Sequence, residues 1–529
     1  MGKVKSTIIT VITTLAIVAL LLFSVISCNL PGGVERYNSI LSCLHYGSEF
    51  TGDAYTTVLP DGVISSEQYN YGIPEDTSSE EYQDYLEKYT KVNDNYYIET
   101  EVLEEYSDDA DTAISMLEDA VQADAEIISK RLDTVGYASY SVYVADGVTI
   151  KVSVPSNFTY ASYRGNDNDS YTTALTVAST TISYLTLGGE LTLRNTDSTI
   201  TSRLDEDYGS TGSLLGVRAD VSDYIKSVST YSSGGVYAVK VKLTSDGEDI
   251  FYKISQKVAN CDDTYIRFYV GTTNIINLTC EETIDSSSFY VQVDDYETAV
   301  NYASLLDSVA SGDSLSLEYE YSEVKASTSA YGEYTALLTA IAVLVVLVGV
   351  MAYSVYRYKK LGLVLSLMIV AFALVLIVSL FFLETQLTAA GVLTSLVCLM
   401  LFVGSNYWSY DSVKKEISVG RTVQNAVKTG YKKTVAGILD LHLVMLVAGI
   451  LLSAVAVGEA AACGIILIIC SIASYCLHWY GRFMWYVTMS YARGESEKRK
   501  FFGVKGKTFE ELEEELDSQS NGKKAYGEV

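Results

Sequence analysis

Only three histidines stand in 529 residues, and the apolar runs spell neither a zinc-type cluster nor a nucleophile beside a base. The eight cysteines include no CxxC pair, and no glycine-rich phosphate loop occurs. Hydrolysis and group transfer therefore have no machinery in this sequence, and no metal or cofactor is expected. Positive charge is short in the stretch most open to water. Residues 34–333 hold 17 Lys and Arg against 51 Asp and Glu, a net of −34. Such a surface repels phosphates, which excludes nucleic acid as its partner.

What the chain has instead is apolar length. Six segments are long enough to cross about 30 Å of hydrocarbon: Thr7–Ser27, Thr335–Tyr356, Leu361–Leu383, Leu387–Trp408, Thr434–Val457 and Ala460–Tyr480. Basic residues gather on the cytoplasmic side of membrane proteins. Lys3 and Lys5 precede the first segment, and Arg357, Lys359 and Lys360 join the second and third. Six basic residues lie between Lys414 and Lys433, and Arg493, Lys498, Arg499 and Lys500 follow the last segment. The alternate connections are not basic. Both termini are thus expected in the cytoplasm and residues 29–333 outside, with membrane lipids around the spans.

The first segment ends in Ser27-Cys28, which also resembles a lipoprotein signal with its lipidated cysteine. With five more spans to come a lipid anchor is redundant, and an uncleaved helix is the favoured reading. Cys398, Cys463, Cys470 and Cys476 fall in spans and read as small apolar packing groups. Cys43, Cys261 and Cys280 lie where a disulfide can persist. Their odd number weakens that reading, and free thiols are favoured over a Cys261–Cys280 bridge.

The divisions expected are an anchor over 1–28, an external α+β domain over 29–333, a five-helix bundle over 334–485 and a cytoplasmic tail over 486–529. Within the external domain residues 29–110 are weakly patterned. Asp111–Val135 then sets Ile114, Leu117, Val121, Ile128 and Leu132 on one helical face, stopped by Gly136. SYSVYVA and VTIKVSVP alternate as strands about the Asp146-Gly147 turn. Thr172–Leu187 reads as helix and ELTLR as strand. The pattern breaks over 195–234, a possible insertion, and restarts with VYAVKVKL, a helix over 245–258, strands TYIRFYV, NIINLT and FYVQV, a helix over Asp295–Ala310 and a final strand SLSLEYEY. These periods describe two ferredoxin-like units in tandem, about 55–194 and 235–322. The sequons at Asn157, Asn168 and Asn277 are given no role. The acidic stretch FEELEEELD beside RGESEKRK reads as a solvated tail.

Two polar groups stand deep in neighbouring spans. Asp440 is the one acidic residue deep in any of them, and Asn406 lies at a similar depth on the preceding span. A carboxyl at mid-bilayer costs about 2.5–3.5 kcal/mol, so it is expected to face the bundle interior and meet Asn406 or Ser405. Two roles remain open for it, a proton-relay group or a neutral structural acid joining two helices. His442 lies about 200° round the helix from Asp440 and reads as a packed or interfacial ring. Gly404 and Ser405 read first as small residues that let helices approach.

The layout, one anchor helix, a large external domain and five more spans, resembles the SecD family of bacterial preprotein translocation, related to the RND exporters. IISKRLDTVGYASYSVYVADGVTIKVSVP is similar to that family's helix-strand-strand segment, with its core kept at Ile127, Arg131 and Gly136. VGTTNIINLT resembles its short glycine-containing hairpin. LTAAGVLTSLVCLMLFVGSNYWSYDSVKKEI is similar to its fourth span, and GRTVQNAVKTGYKKTVAGILDLHLVMLVAGIL to the next, through Gly420, Gly430 and Ile438-Leu439-Asp440. The family's fourth span ordinarily reads VDAN, with an aspartate implicated in proton movement. Here Val403, Gly404, Ser405 and Asn406 stand there and the carboxyl is gone. The proline usual near Ala390 is also missing.

The resemblance implies a six-span, non-enzymatic accessory subunit. It would use the proton-motive force with a separate SecF-like partner to help the SecYEG channel export unfolded polypeptide, with YajC or YidC as further neighbours. The alternatives are half of an RND-type small-molecule or lipid exporter, and a degenerate scaffold that transports nothing.

Overall fold

The computed structural model describes residues 3–29, 36–37, 39–155, 168–196, 221–327, 329, 331–332, 334–492 and 494–504. The sequon at Asn157, the centre of the 195–234 segment, the side chains of Cys28 and Asn168, and the acidic tail fall outside what is described. The chain divides into two compact units, one of residues 47–330 and one that joins residues 1–46 to 331–529.

Helix α1 (Lys3–Val25) opens the second of these units. The α+β unit follows. Its organising element is α2 (Ala110–Val135), which starts where Asp109 accepts from Thr112 N and stops at Gly136 with φ at +99°. Only glycine holds that left-handed stop without steric cost. Leu117, Val121, Ile128 and Leu132 are fully buried on its inner face.

Four strands lie against it. They are β1 (Asp53–Pro60), β2 (Ser141–Ala145), β3 (Thr149–Pro155) and, from the far end of the unit, β10 (Tyr319–Tyr321), in the order β10-β1-β3-β2. Helix α3 (Asn168–Leu185) also joins this core through Ala178, Ile182 and Leu185. A short edge strand, β11 (Lys325–Ser327), pairs with the other half of β1.

The strand expected to close this sheet goes elsewhere. β4 (Leu191–Arg194) pairs with β7 (Tyr265–Val270), which pairs with β8 (Thr273–Thr279). β5 (Ile225–Ser233), β6 (Val236–Leu243) and β9 (Ser288–Val293) form a third sheet, covered by α5 (Tyr296–Ala310). Helix α4 (Ser245–Val258) starts at Thr244, whose hydroxyl accepts from Gly247 N, and packs on β6 and β7. The stretches 55–194 and 235–322 are therefore not independent: each lends a strand to the other's sheet. Period-two alternation marks which face of a strand is buried but carries no information about its neighbour.

Two buried charges on α2, two turns apart, tie parts of both stretches together. The Asp124 carboxylate accepts from Ser316 N (2.9 Å), Leu317 N (3.2 Å) and the Tyr319 hydroxyl (2.8 Å). Amides held by a carboxylate cannot serve a ladder, so the strand expected over SLSLEYEY pairs only from Tyr319. Arg131 donates to Leu185 O, Leu187 O, Ser308 Oγ and Asp313 O at 2.9–3.2 Å. Burial brings its guanidinium down to about 10, opposed by Asp124 and Asp313, so it is still a cation at neutral pH.

Residues 63–104, weakly patterned in sequence, fold as a small sheet in the order Val63–Ser65, Tyr96–Glu99, Tyr89–Lys91. A Ser65–Gln68 capping box starts the helix beside it, and the Tyr69 and Tyr97 rings stack 3.8 Å apart.

The helical unit consists of α1 with α6 (Thr335–Tyr358), α7 (Lys360–Phe382), α8 (Ala389–Ser418), α9 (Val423–Val455), α10 (Gly458–Met489) and the short α11 (Glu495–Phe501). Six of these helices are long and apolar enough to cross a membrane. Small residues let them meet closely. A Cβ on Gly464 would lie 2.5 Å from Ser453 N and 2.9 Å from Gly449 O, so α9 and α10 touch backbone to backbone there. Residues 39–46 pack with the helices: Leu387 N donates to His45 O (2.8 Å) and Gln386 Nε2 to Tyr46 O (3.1 Å). Cys43 and Cys280 are free thiols, so no Cys261–Cys280 bridge forms.

Candidate functional site: a buried polar seam between three helices

An apolar helix of this length turns one stripe of residues inward. In α9 that stripe is Tyr431, Thr434, Ile438, His442, Met445 and Gly449, at spacings of three and four. Asp440 lies midway between Ile438 and His442 and so points the opposite way. It is exposed on the flank of the unit, beside Leu439, Leu443 and Val444, and among the described residues no hydrogen bond or ion pair reaches it. The expected meeting of Asp440 with Asn406 or Ser405 does not form. Equal depth brought the two to one level, but rotation about the helix axis put them on different faces.

Helix α8 divides in the same manner. Gly404 and Trp408 are exposed, and a Cβ on Gly404 would meet nothing within 4 Å, so this glycine is not needed for close approach within the chain. Ser405 and Asn406 are buried. Both are satisfied by their own helix: Ser405 Oγ donates to Phe402 O (2.7 Å) and Asn406 Nδ2 to the same carbonyl (2.8 Å). Asn406 Oδ1 faces Gly481 of α10, 3.9 Å from where a Cβ would stand.

Around these two the structure gathers residues that sequence reasoning passed over. Helix α10 turns Ser471, Ser474, His478 and Arg482 along one face, again at spacings of three and four. Ser471 Oγ donates to His442 O (2.6 Å), and Ser474 Oγ to Ser471 O (3.1 Å). His442 is buried, on the side of α9 opposite the exposed Asp440, and its Nδ1 donates to Ile438 O (2.7 Å). Ser409 Oγ lies 3.3 Å from Thr434 Oγ1 and 3.5 Å from His478 Nε2. The Tyr431 ring stacks on His478 with centroids 5.2 Å apart, and the Arg482 guanidinium sits 4.1 Å from the centroid of the same Tyr431 ring. Among the described residues Tyr431 Oη, His478 Nδ1 and Arg482 Nε are buried and have no hydrogen-bond partner. Polar residues recurring every three or four positions in spans otherwise apolar were the signal available in the sequence. Tyr431 and Arg482 stood just beyond the expected span limits, which hid the pattern.

At the same end of the bundle Glu416 of α8 holds the connection to α9, pairing with Arg421 (2.9 Å) and with Lys433. Arg357 of α6 pairs with Asp411 (2.9 Å), which also accepts from the Tyr358 hydroxyl. No group of three or more potential metal ligands occurs among the described residues.

This architecture defines a multi-pass helical membrane protein with an α+β unit inserted between its first and second helices. Comparison with known proteins gives relatives for part of the chain. No family model matches the chain. It is 33% identical over 96 residues to protein translocase subunit SecD of Aquifex aeolicus, a match covering 18% of this chain and 19% of the relative. It is 34% identical over 108 residues to the subunit of the same name from Salmonella choleraesuis, covering 20% and 17%. Matched in this way the chain spans about a fifth of the length of these relatives. A crystal structure of SecDF in its super-membrane-facing form superposes over 95% of this chain and 59% of that one, with a TM-score of 0.53 at 14% identity, so the fold is shared. Over that part of its length the chain is similar to SecD subunits of protein translocation.

Proposed function

We propose that the chain is a SecD-like accessory subunit of the Sec preprotein translocase, working with a separate SecF-like membrane half and drawing on the proton-motive force. The observation that carries this reading is the uncovered flank of α8 and α9. Asp440 stands there with Gly404 and Trp408, turned away from the chain's own bundle. A carboxyl left against lipid at that depth costs about 2.5–3.5 kcal/mol, which a second set of helices removes by covering it. In this reading Asp440 belongs to the interface with the partner half. The α+β unit lies outside, where it meets emerging polypeptide, and the basic connections lie in the cytoplasm. A charge crossing 100 mV carries about 2.3 kcal/mol, the scale of energy on offer.

The alternative, half of a small-molecule or lipid exporter, calls for a deep apolar cavity and is less well supported, because a cavity of about 550 Å³ in the α+β unit is lined by Lys226, Lys242, Thr244, Ser245 and Glu248. Affinity isolation of the tagged full chain from its own membranes tests the proposal. Recovery of a SecY-type channel and a SecF-like protein is expected, with less of the SecF-like protein when Asp440→Leu removes the carboxyl. Recovery of neither from the native chain would end the translocase reading.

A further inference from the structure

Among the described residues of the helical unit four buried side-chain polar atoms have no hydrogen-bond partner; Ser24 Oγ stands alone on α1, and the other three lie together. Tyr431 Oη, His478 Nδ1 and Arg482 Nε belong to side chains packed about a single ring, that of Tyr431. Tyr431 and His478 are 2% and 1% exposed, so bulk water does not satisfy them. Buried polar groups are almost always paired, and an orphan among apolar neighbours costs about 1–3 kcal/mol. Three around one ring amount to a site whose donors and acceptors await a small polar occupant.

We infer that Tyr431, His478 and Arg482 form a hydrated, proton-exchanging site at the end of the bundle where α8 turns into α9, with His478 as the group that takes up and releases the proton. Water suits the three atoms because it both donates and accepts. The guanidinium Nε–H can only donate, the phenol can do either, and the imidazole Nδ1 does whichever its tautomer allows. The groups facing His478 leave it as the carrier. Helix α8 offers the neutral Ser409, 3.5 Å from Nε2, and α9 offers Tyr431 and His442. Its own helix offers Arg482, a fixed cation over the Tyr431 ring. Among the described residues no carboxylate pairs with any member of the site. Imidazole is the side chain whose charge changes near neutral pH.

The step balances between the ring and water. A proton from hydronium adds to the lone pair of Nδ1, leaving water and an imidazolium; on release the Nδ1–H proton returns to a site water, which becomes hydronium, and the ring is neutral again. Ser409, Thr434, Ser474, Ser471 and His442 continue the polar line deeper between the helices. The site thus supplies within this chain a titratable group that Gly404 cannot. From the translocase reading it takes only that the helical unit lies in a membrane.

With three histidines in the chain, each imidazole can be assigned by single substitution to glutamine. The test is nitrogen-15 NMR of the histidine-labelled full chain in lipid nanodiscs, with free histidine in the buffer as the titration control. The expected result is a cross-peak between water and the His478 imidazole, lost in H478Q and largely lost in Tyr431→Phe, together with a pH-dependent His478 shift. A His478 ring with no water cross-peak, or with a shift unmoved across the whole pH range in which the chain stays folded, overturns the inference. The readout needs no channel. A water-exposed, titrating His478 in a chain that recovers no SecY-type protein upholds this site and removes only the translocase role.

Discussion

Replacing Arg131 by methionine keeps the apolar stem of the side chain and takes away its donors. Of its four acceptors, Ser308 Oγ and Asp313 O still bond to each other at 2.9 Å. Leu185 O and Leu187 O, at the end of α3 and just beyond it, lose the Arg131 donors that reach them, and at about 1–3 kcal/mol for each orphaned carbonyl the loss is about 2–6 kcal/mol. Buried Asp124, two turns away on the same helix, also loses its nearby cation. Relief of the guanidinium's own desolvation offsets part of this. A net loss of about 3 kcal/mol follows, near the lower end of what breaking a buried charged contact costs. Hydrogen exchange of the full chain in detergent or nanodiscs reads it directly. Where exchange needs the whole α+β unit to open, about 3 kcal/mol speeds it roughly a hundredfold, and amides of α2, α3 and residues 313–319 are expected to show this together. Exchange in R131M at the native rate across those segments would refute the view that this arginine pins the two halves of the unit.

The remaining predictions concern single groups. Asp263 accepts from Arg267 Nη2 (3.2 Å) and Thr196 N (3.0 Å), and although burial opposes it these donors hold the carboxyl well below the usual range. Because its folded pKa is depressed, its stabilisation is complete above about pH 4 and fades as pH falls towards the folded value; acid unfolding of Asp263→Asn should accordingly begin from a less stable protein and depend less on pH. Burial pushes the Cys280 thiol up to about 11, so maleimide labelling at neutral pH is expected to be slow in the folded chain and rapid in denaturant; fast native labelling would contradict the packing described. Gly464→Leu should force α9 and α10 apart at a cost of about 1–3 kcal/mol in a thermal-stability assay, whereas Gly404→Asp, meeting no atom within 4 Å, should leave the lone chain's melting temperature nearly unchanged.

Much of the architecture is legible in the chain because it is local. Six apolar runs of spanning length became six helices, and the stop at Gly136 and the turn at Asp146-Gly147 stand where their residue types required. The fourth and fifth spans run well past the expected limits, to Ser418 and back to Val423, because helix continues beyond hydrocarbon wherever polar residues such as Glu416 and Lys433 pair along it. The candidate site was legible only in part. Ser405 and Asn406 do lie inside, but the sequence drew attention to the strongest charge and away from a recurring set of weak polar groups that ends in His478 and Arg482.

By itself the sequence determined how many helices cross, where charge concentrates and which residues form helix or strand, since length, composition and period act over a few turns. Tertiary packing alone decided that β4 and β10 complete each other's sheets, and that α9 turns His442 inward and Asp440 out. Those choices rest on contacts between residues far apart in the chain, and either alternative satisfies every local rule.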